Sequence, residues 1–226
     1  MTDLAGATIA FDLDGTLVDT APDLFAVLNR LLDEYGLPAV PLSAARHLVG
    51  HGARAMLVHG FAEAGAPWEE AQGDRLFDRF IDLYLARIAE ESRPYPNVVE
   101  TLDRLSGEGA RLCVCTNKRT DLAVALLDAL GLSGRFAAIS GPDVVSRRKP
   151  HAEHIRETVA RIGGDVSRTV MVGDSATDVG AARAAGAPCV VVGFGYTEIP
   201  PADLGADALI DDFAELPQAV RRLLTP

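Results

Sequence analysis

The stretch that decides the fold is Ala7-Thr8-Ile9-Ala10-Phe11-Asp12-Leu13-Asp14-Gly15-Thr16. A short, mostly apolar run leads straight into two aspartates and a glycine. Such a run, apolar on both sides, marks a strand buried on both faces, as in parallel sheets covered by helices. Carboxylates at i and i+2 of an extended segment point to the same side. Gly15 then lets the chain turn sharply.

Working outward, the same arrangement recurs. Ala110–Cys115 ends at Thr116-Asn117-Lys118, and Thr169–Val172 ends at Gly173-Asp174-Ser175. Phe136–Ser140, Cys189–Val192 and Ala208–Ile210 read as three further strands. Helical patterns alternate with them at Val98–Ser106, Arg119–Leu130, Ala152–Ile162, Ala176–Ala185 and Phe213–Leu224. This alternation predicts an α/β fold, a Rossmann-like parallel sheet with helices on both faces.

Between about Thr20 and Ser92 the alternation breaks. Leu24, Phe25, Leu28, Leu31 and Leu32 recur at helical spacing, as do Phe77, Phe80, Ile81, Tyr84, Leu85 and Ile88. The spacing predicts a helical unit over residues 20–92, inserted into an α/β core made of residues 1–19 and 93–226. Arg93-Pro94-Tyr95-Pro96 is a stiff segment suited to the boundary.

The 226-residue chain is 48% hydrophobic with a formal net charge of −11. The first figure argues against global disorder. The second argues against nucleic acid and anionic membranes as partners, because both repel such a field. No apolar run approaches the ~18 residues of a membrane span, and the N-terminus lacks a secretory-signal pattern. Cys113, Cys115 and Cys189 form no C-x-x-C pair and read as small buried side chains in a reducing compartment. The expectation is a soluble cytoplasmic protein, monomeric or homodimeric.

Chemistry in open parallel sheets collects beyond the carboxyl ends of strands. Asp12, Asp14 and Asp174 all fall there, and Asp178 lies one helical turn beyond Asp174. Gathering these carboxylates is costly unless a hard cation neutralises them, which points to Mg²⁺ on Asp12, Asp14 and Asp174. Asp178, with Ser175, is expected to position that shell rather than enter it. The Thr116 hydroxyl and the backbone N–H groups beside it, with Asn117, are candidates to hold phosphate oxygens at a helix N-terminus. Gly15 is a candidate phosphate contact on the first turn. Of the 21 lysine and arginine residues only two are lysines, Lys118 and Lys149. Both fall in segments where a compact charge near phosphate is wanted. His151 and His154, at i and i+3, read as a helix face, since no third metal ligand is evident.

Asp12–Thr16 (DLDGT), Thr116–Asn117 (TN), Lys149–Pro150 (KP) and Gly173–Asp178 (GDSATD) resemble, in order and spacing, the four motifs of haloacid dehalogenase-like hydrolases. The helical insertion resembles that family's cap domain. Phe11–Leu24, Val49-Gly50-His51-Gly52 and Gly195-Tyr196-Thr197-Glu198 resemble the phosphoglycolate phosphatases within it. Asn97 departs from that pattern, where relatives often carry glycine.

The resemblance implies a phosphatase acting on a small phosphorylated metabolite, 2-phosphoglycolate first, through an aspartyl phosphate. Asp12 would be the nucleophile. Asp14 would be the acid and then the base, with its pKa raised when substrate is bound, and would reach Mg²⁺ through its backbone carbonyl. Lys149 and Thr116 would spread the charge of the transferring group. His51 and Arg54 are expected at the cap face, choosing the substrate. A sugar-phosphate phosphatase or mutase is the alternative. A dehalogenase is disfavoured because such relatives lack the acid at Asp14, and phosphonate cleavage because no lysine precedes Lys118. A receiver-type phosphoacceptor domain is disfavoured by the helical insertion.

Overall fold

Strands form where the apolar runs are and stop where the charges begin. The computed structural model describes residues 4–42, 49–50, 52–66 and 68–225, with Glu70 described in its backbone only. In chain order the elements are β1 (Thr8–Phe11), β2 (Val18–Asp19), α1 (Ala21–Glu34), α2 (Ala53–Glu63), α3 (Glu70–Leu85) and β3 (Arg93–Pro94). Then come α4 (Val98–Gly107), β4 (Arg111–Cys115), α5 (Thr120–Ala129), β5 (Ala138–Ser140), α6 (Ala152–Arg161) and β6 (Thr169–Gly173). The chain closes with α7 (Ala176–Ala185), β7 (Cys189–Val192), β8 (Ala208–Ile210) and α8 (Leu216–Leu224).

The main sheet has the order β5-β4-β1-β6-β7-β8, with every pairing parallel. Thr8 pairs with Arg111 on one side and Thr169 on the other. Chain order therefore reverses around β1, and the crevice beyond its carboxyl end is where an open sheet accommodates a ligand.

Alternate strand residues divide between two cores. Ile9, Phe11, Leu112, Val114, Val170 and Val172 join Leu102 and Leu105 of α4, Leu126 of α5 and Val220 of α8. Ala10, Cys113, Cys115, Met171 and Val191 face the other way, onto Ile155 and Val159 of α6 and Ala182 of α7. Burying both faces explains the unbroken apolar runs; each fully buried large side chain contributes roughly 1.5–3 kcal/mol. Burial pushes the Cys113 thiol up to about 12, so it is an inert packing group.

A third core belongs to the insertion. Leu28, Leu31 and Leu32 of α1 pack with Leu57 of α2 and with Phe80 and Tyr84 of α3. Leu122 and Tyr196, from the sheet domain, close its underside. Leu85, expected on the apolar stripe, is 43% exposed, because it ends α3 where the next turn bends away.

Two linkers join the units, and each has a feature the sequence concealed. β2 and β3 form a two-residue antiparallel ladder, Val18 opposite Pro94 and Asp19 opposite Arg93. The buried Asp23 carboxylate accepts hydrogen bonds from the Ser92 amide (2.8 Å) and hydroxyl (2.6 Å), clamping entry to exit. Asn97 has φ of 62°, alone in the left-handed region among the described non-glycine residues. That conformation explains the glycine preference here. Asparagine tolerates it, with its amide held by Asp212 at 2.8 Å. The last helix also differs from expectation: Phe213–Glu215 is a 3₁₀ turn capped by Asp212, and α8 begins at Leu216.

Candidate active site

Three strand ends, those of β1, β4 and β6, and the loop before α6 deliver the side chains. Asp12 extends β1 by one residue, its amide bonded to the Val172 carbonyl at 2.8 Å. Its carboxylate accepts from the Leu13 amide at 2.7 Å and lies 2.9 Å from Lys149 Nζ. Lys149 reaches in from the loop before α6, its side chain fully buried, and also meets Asp178 Oδ1 at 2.7 Å. The other Asp178 oxygen accepts from the Ser175 hydroxyl (2.6 Å) and amide (3.1 Å), closing a capping box at the start of α7.

Asp174 follows β6. Its carboxylate accepts from the Tyr196 amide at 2.6 Å and the Thr16 hydroxyl at 3.2 Å. Glycines make this approach possible. A Cβ on Gly195 would lie 2.1 Å from Asp174 Cβ. One on Gly15, whose φ is +80°, would lie 2.5 Å from an Asp174 oxygen and 2.7 Å from the Tyr196 ring.

Asp12, Asp174 and Asp178 each bring an oxygen within 4.8 Å of the others, and all three are buried. One ammonium, Lys149, stands against these three carboxylates. Burial pushes the Asp12 carboxyl up to about 6 despite Lys149 beside it. Burial, and then the like charges of Asp178 and Asp12, drives Asp174 well above the ordinary carboxylate range. A buried, charge-deficient set of hard oxygen donors fits a divalent cation of the Mg²⁺ class. Asp178 meets the Lys149 ammonium with one oxygen and Ser175 with the other, whereas the Asp174 oxygens accept from the neutral Tyr196 amide and Thr16 hydroxyl, so Asp12 and Asp174 are the candidates to face such an ion.

Asp14 stands apart from that cluster. Its carboxylate turns to Lys118 Nζ at 3.0 Å and the Thr20 hydroxyl at 2.6 Å. The Asp14 carboxylate is thus engaged away from the cluster, and the contact to Mg²⁺ expected of this residue is through its backbone carbonyl. Thr116 and Asn117 lie in the loop after β4. They are not at a helix N-terminus as expected, because Arg119 precedes the first turn of α5, which starts at Thr120. The Thr116 hydroxyl accepts from the Lys118 amide at 3.1 Å, and the Asn117 amide donates to the Lys149 carbonyl at 3.2 Å.

A cavity of about 290 Å³ opens above Asp12 and Asp14. Thr116, Asn117 and Lys118 form its floor, and Val49, Arg54, Phe77 and Tyr84 of the insertion form part of its roof. Arg54 is ion-paired with Asp74 and lies 5.8 Å from the Phe77 ring centroid. His51 lies outside the described residues.

The family model for haloacid dehalogenase-like hydrolases matches residues 9–192. The chain belongs to that family. A phosphoglycolate phosphatase from Caulobacter vibrioides is 56% identical, covering 99% of this chain and 94% of its own length. An N-acetylmuramic acid 6-phosphate phosphatase from Pseudomonas aeruginosa is 35% identical, covering 96% and 95%. The crystal structure of a predicted phosphoglycolate phosphatase from Haemophilus somnus superposes with a TM-score of 0.89 at 31% identity, covering 97% and 99%.

Three residues of this haloacid dehalogenase-like hydrolase escaped the sequence reading. Thr20 is bound to Asp14. His154, read as a helix-face residue, is fully buried. Its Nδ1 accepts from the Lys149 amide and its Nε2 donates to the Ser140 carbonyl, each at 3.1 Å. Burial and the Lys149 charge push its pKa down to about 4, so the ring is neutral. Tyr196 holds Asp174 through its amide, while its hydroxyl accepts from the Ala21 amide at 3.0 Å and donates to Asp19. Only the Gly195–Glu198 motif hinted at it.

Proposed function

We propose that this hydrolase is a phosphatase that releases phosphate from small phosphorylated acids, 2-phosphoglycolate foremost, yielding glycolate. The observation that carries this reading is the pair Asp12 and Asp14, two residues apart at one strand end, with their carboxylates held in separate environments. Asp12 lies beside the buried Lys149 and the acidic cluster, whereas Asp14 faces the cavity beside Lys118.

In the first step an Asp12 oxygen attacks phosphorus and the bond to the ester oxygen breaks. The leaving oxygen takes a proton from Asp14. In the second step Asp14 takes a proton from water, whose oxygen attacks the aspartyl phosphate and frees Asp12 and inorganic phosphate. Lys149 neutralises charge on the transferring group, and the Thr116 hydroxyl and nearby backbone amides bind its oxygens. Asp12, Asp174 and the Asp14 carbonyl would hold Mg²⁺, which would add further charge neutralisation there. Asp178 and Ser175 position Lys149 and the loop that carries Asp174. Gly15 leaves room for this convergence. Arg54, with His51 nearby in sequence, serves substrate choice from the insertion, which acts as a cap over residues 20–92.

The relatives named above act, by their names, on phosphates of glycolate and of a muramic acid, both carboxylic acids. That supports an acid-phosphate substrate class. The test is phosphate release across a panel of short phosphorylated metabolites with Mg²⁺ present. Highest kcat/KM for 2-phosphoglycolate is expected. Preference for a neutral sugar phosphate would overturn the substrate assignment, and isomerisation without phosphate release would overturn the phosphatase.

A further inference from the structure

Lys118 is the basic residue whose placement the steps above leave unused. Its side chain is 7% exposed, yet it lines the cavity. The ammonium is held from two sides, by Asp14 at 3.0 Å and by the face of Tyr84, with the ring centroid at 4.6 Å. Asp14 belongs to the core and Tyr84 to the insertion, so Lys118 sits at the seam between them.

The surroundings make this charge selective. Leu24, Met56, Phe80, Ile81 and Leu122 supply apolar wall around it. An anion entering such a wall gains little from the wall itself and much from one desolvated ammonium. Of the arginines that line the cavity, Arg54 is paired with Asp74 and Arg119 with Asp121, while Arg148 lies in the segment leading to Lys149 and is not the cation held beside Asp14. Lys149 is committed to Asp12 and Asp178.

Position then fixes what Lys118 meets. If Asp14 protonates the leaving oxygen, that oxygen must lie against Asp14. A group on the carbon bearing that oxygen falls within reach of the ammonium 3.0 Å from Asp14. We propose that Lys118 is a specificity residue that pairs with a carboxylate on the carbon carrying the phosphate ester. The favoured class is thus the O-phosphorylated 2-hydroxy acids. The assignment rests on the phosphatase reading above and deepens it.

The experiment compares 2-phosphoglycolate with ethyl phosphate, which has the same chain length but no carboxylate. Wild-type enzyme is expected to prefer the acid by about a hundredfold or more in kcat/KM, and Lys118→Met to reduce that preference by at least about tenfold, chiefly through KM. Turnover of ethyl phosphate also falls in the variant, by a smaller factor. Equal losses on both substrates would overturn the proposal, since Lys118 would then only hold Asp14 in place. A wild-type preference near unity would overturn it without any variant. If thermal unfolding shows that K118M does not fold, Lys118→Gln is read by the same ratio. Absence of phosphate release from both esters would instead sink the phosphatase reading itself, and this assignment with it.

Discussion

Lys149 Nζ lies 2.9 Å from Asp12 Oδ1, and neither side chain is more than 10% exposed. With Asp178 on its other side at 2.7 Å, the ammonium is the shared counter-charge of two buried carboxylates. Lys149→Met removes it and leaves both uncompensated. Removing one partner of a buried ion pair costs about 3–5 kcal/mol. Losing one charge-stabilising donor costs at least about a hundredfold in kcat. Urea unfolding and steady-state kinetics read the two effects. Turnover within tenfold of wild type would contradict the role given to Lys149.

The acidic cluster makes a prediction about Mg²⁺ that needs no turnover. Binding to the folded state alone stabilises by about 2.7 kcal/mol at a hundred times Kd. Melting temperature should therefore rise with Mg²⁺, and Asp174→Asn should abolish most of the rise. An equal rise in the variant would place the ion elsewhere.

Gly195 tests how closely the late loop must approach Asp174. A methyl group 2.1 Å from Asp174 Cβ cannot be accommodated without displacing one backbone or the other. Gly195→Ala should raise the Mg²⁺ concentration for half-maximal stabilisation by about tenfold or more, as supporting contacts to metal ligands typically do. An unchanged midpoint would show that Asp174 tolerates the shift.

His154 predicts a pH dependence with a definite sign. Its folded value of about 4 lies below the ordinary 6.5, so the unfolded chain takes up the proton first as pH falls. The stability it contributes is complete above about pH 6.5 and is lost as pH falls towards 4. The stability difference between wild type and His154→Gln should therefore shrink by about 3 kcal/mol over that window. A difference independent of pH would mean that the ring is not held neutral.

The sheet was legible because its signal is local. Ile9–Phe11, Leu112–Cys115 and Cys189–Val192 are apolar because both faces are covered, and their ends are marked by Asp12, Thr116 and Gly193. Asp12 and Asp174 were legible as candidates for the same reason, since each follows a strand directly, and Lys149 because it is one of only two lysines in the chain. What stayed hidden depends on distant partners. Lys118 meets Asp14 across 104 residues of chain, and Tyr196 meets Ala21 across 175. His154 looked like one face of a helix because its partners, the Lys149 amide and the Ser140 carbonyl, are backbone groups and leave no side-chain pattern. The β2–β3 ladder, two residues on each strand, is too short to show periodicity.

The most direct test of the account is covalent. Enzyme mixed with radiolabelled phosphoglycolate and quenched in acid should carry label on the peptide containing Asp12, and Asp12→Asn, still folded, should carry none and turn over nothing. Label on another residue, or normal turnover by the variant, would contradict Asp12 as the nucleophile.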